Sequence, residues 1–216
     1  GGPSNTPEAI SVAQTAMPNA SGSPLVVTAP PAIANTYTNT NTVDWAPIVN
    51  GFSGVVRRGT TTSTAQACTL TDTIDFTGSV ALIDRGVCSI SIKVANAAAK
   101  GAIGVIIANN VAGDAPTFSY GGGWPLVETL VVTQVIGTTL KSQASGTVSV
   151  NVSPANNIAL VGSMASTSSR GPTFNFSGIK PEIGAPGASL SAEEGTDARD
   201  RPFAGTAGAA PMVAGS

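Results

Sequence analysis

The sequence predicts a mixed α/β fold, and three observations in its centre carry that prediction. Residues 79–84 (SVALID) form a strand-length run rich in β-branched and apolar residues, ending at Arg85-Gly86. Residues 89–100 (SISIKVANAAAK) place Ile90, Val94, Ala97 and Ala98 on one helical face. Residues 102–108 (AIGVIIA) form a second, wholly apolar run of strand length. Strand, helix and strand with short links make a βαβ unit, so the two strands are expected to be parallel with a right-handed crossover. Gly101 supplies the stop at the end of the helix, and Lys100 in its last turn complements the helix dipole.

The remaining elements follow in chain order. Residues 8–15 alternate around Ile10 and Val12 as a short strand, 17–23 read as turn, and 25–28 as another strand. Residues 30–50 are rich in Asn, Thr and Pro, which predicts an extended surface segment with Trp45 as its core anchor. Residues 113–125 form a Gly-rich loop carrying Trp124, which either touches a ligand or anchors the loop. Residues 129–136 and 146–152 read as strands, with a helical turn at 138–142. A strand at 157–162 runs into a polar turn at 166–172, and 180–187 are punctuated by Pro and Gly. Residues 205–215 read as a turn feeding a helix of small residues. No internal repeat and no low-complexity linker interrupts the chain.

Composition narrows the function classes. The chain has 216 residues, enough for one large domain or two small ones. With 42% hydrophobic but only 5% aromatic residues, its core must be built from Val, Ile, Leu and Ala. Ten scattered Lys and Arg and a net charge of −2 do not supply the phosphate-neutralising cluster of a nucleic-acid binder. No apolar run approaches the ~18 residues needed to span a bilayer, so no membrane partner is expected. Residues 1–3 (GGP) lack the basic start and apolar stretch of a signal peptide. Cys68 and Cys88 are either a disulfide or two buried thiols; the low-charge, Ser/Thr-rich composition favours the disulfide of an oxidising compartment. The chain has no histidine, so the commonest general base and metal ligand is absent.

Three segments in the last third carry a resemblance when taken together. They are Ser168-Ser169-Arg170-Gly171-Pro172, the run 180–187 (KPEIGAPG), and the run 205–215 (GTAGAAPMVAG). In this order and spacing they resemble the subtilases, the subtilisin-like serine proteases. In that family the third segment holds the nucleophilic Ser at a helix N-terminus, where the dipole and a backbone N–H favour an oxyanion. The matching position here is Ala207, which has no hydroxyl, flanked by Gly205 and Thr206 as the implied substrate-binding neighbours. Ala207 is either an engineered replacement in an active protease or the natural residue of a pseudoprotease, and the intact motif around it favours the first.

The family's Asp and His motifs and its oxyanion Asn lie upstream of the matched region, and residues 1–3 resemble those that follow that Asn. Asp197 and Asp200 do not match the catalytic Asp and read as solvated loop carboxylates. A triad needs nucleophile, base and orienter in contact. The chain by itself is therefore expected to be inactive.

The middle of the chain resembles the protease-associated (PA) domain. The match runs through residues 80–88 (VALIDRGVC), then Lys93, Ala98, Gly101-Ala102 and Gly104-Val105-Ile106-Ile107. The resemblance implies a non-catalytic β-sheet or open barrel with a helix beside it, covering an active site, selecting substrates or mediating contacts. It divides the chain into residues 1–24 and 155–216, parts of a subtilase parallel α/β domain, and 25–154, the inserted PA domain. Arg85 is a structural turn residue or a partner for Asp84 or a peptide carboxylate, and Lys93 is expected on the exposed helix face. Outside their missing neighbours, the strands at 8–15 and 157–162 are expected to present apolar edges.

The implied function is part of a secreted serine endopeptidase, with a PA-domain binding module for protein substrates as the alternative. Expected partners are a protein or peptide substrate and the upstream subtilase part. No metal or cofactor is predicted; some subtilases bind structural Ca²⁺ through carbonyls and carboxylates, which this sequence does not single out. Asn19, Asn151 and Asn175 begin Asn-x-Ser sequons, which a chain so rich in Asn and Ser contains by chance.

Overall fold

A computed structural model describes residues 6–17, 20–165, 168–173, 176, 178–192 and 200–216, with backbone alone for 188–192 and 200–204. In chain order the elements are β1 (Val12–Thr15), β2 (Ser21–Gly22), β3 (Leu25–Ala29), β4 (Asn35–Tyr37), β5 (Thr40–Thr42), β6 (Phe52–Arg57) and α1 (Thr62–Gln66). Then come β7 (Val80–Asp84), α2 (Ile90–Ala99), β8 (Gly104–Ala108), β9 (Thr129–Val132), α3 (Gln134–Lys141) and β10 (Val148–Val152). A 3₁₀ turn at Pro154–Asn156 precedes β11 (Ile158–Ala159), β12 (Ile183–Pro186), β13 (Ala188–Ala192), β14 (Asp200–Ala204) and α4 (Thr206–Ala214). The chain divides into two units, one of Gly22–Ile158 and one of Gly1–Ser21 with Ala159–Ser216.

The larger unit is built on an eight-stranded sheet in the order β4-β3-β10-β6-β7-β8-β9-β5. Its middle strands β6, β7, β8 and β9 are parallel, and antiparallel pairs flank them. The two end strands β4 and β5 are separated in sequence only by Thr38 and Asn39. A sheet whose opposite edges are joined by two residues must curl back on itself, which gives an open barrel.

The core follows from the pleat. Val80 and Leu82 of β7, Ile106 and Ala108 of β8, and Leu130 and Val132 of β9 enter one apolar cluster, completed by Phe52, Val56 and the α3 residues Ile136 and Leu140. Their neighbours Ala81, Ile83, Val105, Ile107 and Val131 enter a second cluster on the opposite face, with Ile90, Val94 and Ala97 of α2. Strands buried on both sides read as unbroken apolar runs, the pattern seen in residues 80–83 and 105–108. Each fully buried Val, Leu or Ile contributes about 2 kcal/mol. Trp45 packs half-buried against the second cluster.

Several expectations are corrected. The strand expected at 129–136 ends at Val132, because Thr133 caps a helix by accepting the Ile136 N–H at 3.2 Å. The turn expected at 138–142 is thereby a full helix, α3. Strand β6 and helix α1 were not foreseen. Lys93, expected in solvent, is fully buried.

The reason for the Lys93 burial lies in the segment after α1. Its Nζ donates to the Gln66 carbonyl at 2.7 Å and lies 3.6 Å from Cys68 Sγ, while Asn96 Nδ2 donates to the Ala67 carbonyl at 2.9 Å. Two polar side chains one turn apart on α2 thus hold the end of α1 across the helix. The Cys68–Cys88 disulfide, with Cα atoms 5.8 Å apart, ties the same segment down.

In the smaller unit β1 and β12 are parallel, Val12 opposite Ile183 and Thr15 opposite Pro186, and α4 packs on both. Strands β13 and β14 form an antiparallel pair. Lys180 Nζ donates to the Ala9 carbonyl at 2.6 Å and pairs with Glu182, whose Oε2 accepts the Ser11 N–H at 2.8 Å. These bonds hold the Glu182 carboxyl below the ordinary carboxylate range. The strand expected at 8–15 is regular only from Val12. The one expected at 157–162 is confined to β11, since a turn at Val161-Gly162, with Gly162 at φ 77°, ends it. Ile10 and Val161, 70% and 62% exposed, lie outside these two strands.

Candidate functional site

Loops gather where parallel strands end, and in open α/β sheets ligands bind outside the carboxyl ends of the strands. Here Arg58 follows β6, Asp84 ends β7, Arg85 follows it, Asn109 follows β8, and α3 runs from Gln134 to Lys141 after β9. Two adjoining depressions of about 200 and about 230 Å³ open along this edge and share Thr62, Asp84 and Lys141. The first is also lined by Arg58, Thr60 and Thr61, the second by Arg85, Asn109 and Gln134. Together they form a polar trough over Leu82 and Ala108.

Each charge in the trough is held by a named partner. Lys141 Nζ pairs with Asp84 at 2.9 Å, both side chains about one third exposed. Arg58 Nη2 donates to the carbonyls of Lys141 and Gln143 at 3.1 and 3.4 Å, capping the C-terminus of α3. Its Nε is buried and has no hydrogen-bond partner. Arg85 Nη1 donates to Asn109 Oδ1 at 2.9 Å, and its guanidinium carbon sits 5.1 Å from the Phe118 ring centroid. Of the alternatives for Arg85, the pairing with Asp84 is not the one formed: Lys141 takes the carboxylate, from a position 57 residues away. Behind the trough wall, burial pushes the Lys93 ammonium down to about 8, an effect the nearby Asp84 charge opposes.

A further depression of about 310 Å³ lies beside Arg85, Val87 and Phe118. Trp124 is 81% exposed and does not anchor its loop. That task falls to Trp45, whose Nε1 donates to the Phe118 carbonyl at 2.7 Å, and to Ser91 Oγ, which accepts the Gly121 N–H at 2.9 Å.

Of the motif positions in the smaller unit, Gly205 caps α4 at φ 108°, and Thr206 and Ala207 are its first two residues, both exposed. Gly208 and Ala209 behind them are buried. Asp200 begins β14 rather than lying in a loop; Asp197, Asn19, Asn175 and residues 1–3 fall outside the described residues. Asn151 sits in β10, its Oδ1 accepting from Asn156 Nδ2 at 3.3 Å. Among the described residues no group of three or more His, Cys, Asp and Glu is placed to hold a metal, and no helix is long and apolar enough to cross a membrane.

Sequence reasoning missed Arg58 and Lys141. The only local signal for Arg58 was the alternation of Phe52, Gly54 and Val56 before it, weakened by a glycine in the middle. Nothing local signals that Lys141 and Asp84 meet.

The PA domain family matches residues 24–147. The minor extracellular protease Vpr of Bacillus subtilis (strain 168) is 33% identical over 149 residues, which cover 66% of this chain and 18% of Vpr. The chain thus spans less than a fifth of that relative's length. Similar solved structures include an aminopeptidase from Aneurinibacillus sp. strain AM-1, 24% identical with a TM-score of 0.48 over 64% of this chain and 31% of the other. A second is the subtilisin-like protease Apa1 from the Antarctic psychrotroph Pseudoalteromonas sp. AS-11, 16% identical with a TM-score of 0.45 over 66% and 34%.

Proposed function

Because this chain belongs to the PA domain family, we propose that its larger unit is a non-catalytic recognition module of an extracellular subtilisin-like serine endopeptidase, and that the trough receives protein substrate. The observation that carries this reading is the trough itself: charged, amide and hydroxyl side chains converge on the ends of four strands whose backbones are fixed by a doubly buried core. Sites on rigid elements hold geometry better than sites on free loops. Identity with an extracellular protease supports the protease parentage and the location outside the cell, and the disulfide agrees with an oxidising compartment.

The subtilisin-like assignment rests on the three ordered motifs, with Ala207 at the nucleophile position. In this reading the chain does not hydrolyse peptides alone, since it has neither a hydroxyl at that position nor a histidine to accept its proton. The test is peptide hydrolysis by the Ala207→Ser variant, first alone and then mixed with a polypeptide bearing the family's Asp and His motifs. Activity is expected only in the mixture. Hydrolysis by the single chain, or a mixture that associates by native mass yet stays inactive, sinks the assignment.

A further inference from the structure

We propose that the trough takes an extended acidic peptide, with a side-chain carboxylate seated between Arg58 and Lys141. This rests on the reading of the larger unit as a recognition module and adds the chemistry of what is recognised.

The charge of the trough favours an anionic guest. The two depressions are lined by three cations, Arg58, Arg85 and Lys141, and by one anion, Asp84. Asp84 is committed to Lys141. Arg58 is met only by carbonyls, and Arg85 by an amide oxygen and an aromatic ring. Two guanidinium groups thus line one edge without a carboxylate partner among the described residues, and a guanidinium pairs most strongly with a carboxylate.

Hydrogen-bonding capacity points the same way. Thr60, Thr61 and Thr62 line the Arg58 end, and the buried Arg58 Nε lacks an acceptor. The Thr hydroxyls can donate to a carboxylate, and the guanidinium beside them has donors only, so an anionic guest is favoured over a cationic one.

Dimensions fit a short extended segment. From β6 to β9 the trough crosses three strand spacings of ~4.8 Å, about 14 Å, which an extended peptide covers in about four residues. The side-chain amides of Asn109 and Gln134 lie at the far end, where a peptide backbone has both donors and acceptors to offer.

The experiment is a fluorescence titration of the full chain and its variants with a labelled, N-acetylated and C-amidated tetraglutamate. The corresponding tetraglutamine and inorganic phosphate serve as competitors. Arg58 is left in place, because its guanidinium holds the end of α3. Instead Lys141→Gln removes one cation, and Asp84→Asn removes the trough's own carboxylate while keeping an oxygen for Lys141 to meet.

Expected are at least about tenfold tighter binding of tetraglutamate than of tetraglutamine, weakening as salt rises. Lys141→Gln should weaken it about tenfold, whereas Asp84→Asn should tighten it about threefold, a gain that misfolding cannot mimic. Equal binding of the two peptides overturns the acidic specificity and leaves the recognition reading standing. So does phosphate displacing tetraglutamate at equal concentration, which would make the trough a general anion site. Binding of no peptide at all removes both.

Discussion

Lys93 shows how one side chain reports on its surroundings. It is fully buried, yet among the described residues its ammonium has only the Gln66 carbonyl as an oxygen partner. Burial lowers its pKa from 10.5 to about 8. Between those values the unfolded chain holds a proton at this residue that the folded chain has lost. The desolvation penalty is full below about pH 8 and relieved as pH rises towards about 10.5, so Lys93 makes the fold relatively more stable with rising pH in that window. Lys93→Met removes this dependence. Urea unfolding of both proteins from about pH 8 to about 10.5 should show the wild type gaining on the variant; parallel curves would mean that Lys93 does not titrate there.

Gly104 is constrained by space. A Cβ on it would lie 2.3 Å from the ring of Phe52, itself nearly buried in the first apolar cluster. Gly104→Ala must displace that ring and should cost about 1–3 kcal/mol, read as a lower denaturant midpoint with an unchanged slope.

At the scale of elements, α1 is an unpromising helix that its surroundings make possible. It has five residues, three of them Thr or Ser, well short of what is stable alone. Thr61 and Thr64 cap it reciprocally, each side chain accepting the other's backbone N–H. Its far end is held by Lys93, Asn96 and the disulfide. Because α1 and the residues before it form a wall of the trough, these ties position the candidate site. Reducing the disulfide, which joins residues 20 apart, should lower stability by ~3 kcal/mol. It should also speed amide exchange at Ala65 and Ala67 before the sheet is affected. Uniform loss of protection would place the disulfide's effect on the whole unit instead.

Across the whole molecule, charge acts through placement rather than amount. Residues 22–158 contain six cations (Arg57, Arg58, Arg85, Lys93, Lys100, Lys141) and six anions (Asp44, Asp72, Asp75, Asp84, Asp114, Glu128), so the larger unit is formally neutral. Glu128 is spent at the opposite end of the sheet, accepting the N–H groups of Asn50 and Gly51 at 2.7 Å ahead of β6. Asp75 lies ahead of β7, where hydrogen bonds from Thr77 hold its carboxyl below the ordinary range. This separation leaves cations in excess at the carboxyl ends of β6 to β9, which is why binding there is expected to depend on salt. Net charge alone carried no such information.

Features with a local cause were readable from the order of the residues. The βαβ centre was legible because strands buried on both faces must be apolar throughout, as residues 80–83 and 105–108 are. The end of α2 was legible because Gly101 adopts φ 82°, which other residues resist. The family resemblance was legible because the run around Arg85, Gly86 and Cys88 is contiguous. The rest arises from contacts that exist only in the folded chain. Strand β6 is broken in pattern by Gly54, Thr133 becomes a cap instead of a strand residue, and α1 exists only where distant side chains hold it. Lys93 looked like a surface residue because its concealment depends on a loop stapled across it. The trough depends on Asp84 meeting Lys141 and on Arg58 meeting the end of α3, contacts spanning 57 and 83 residues. No local propensity encodes such contacts, because they arise only when the curled sheet brings its strand ends together.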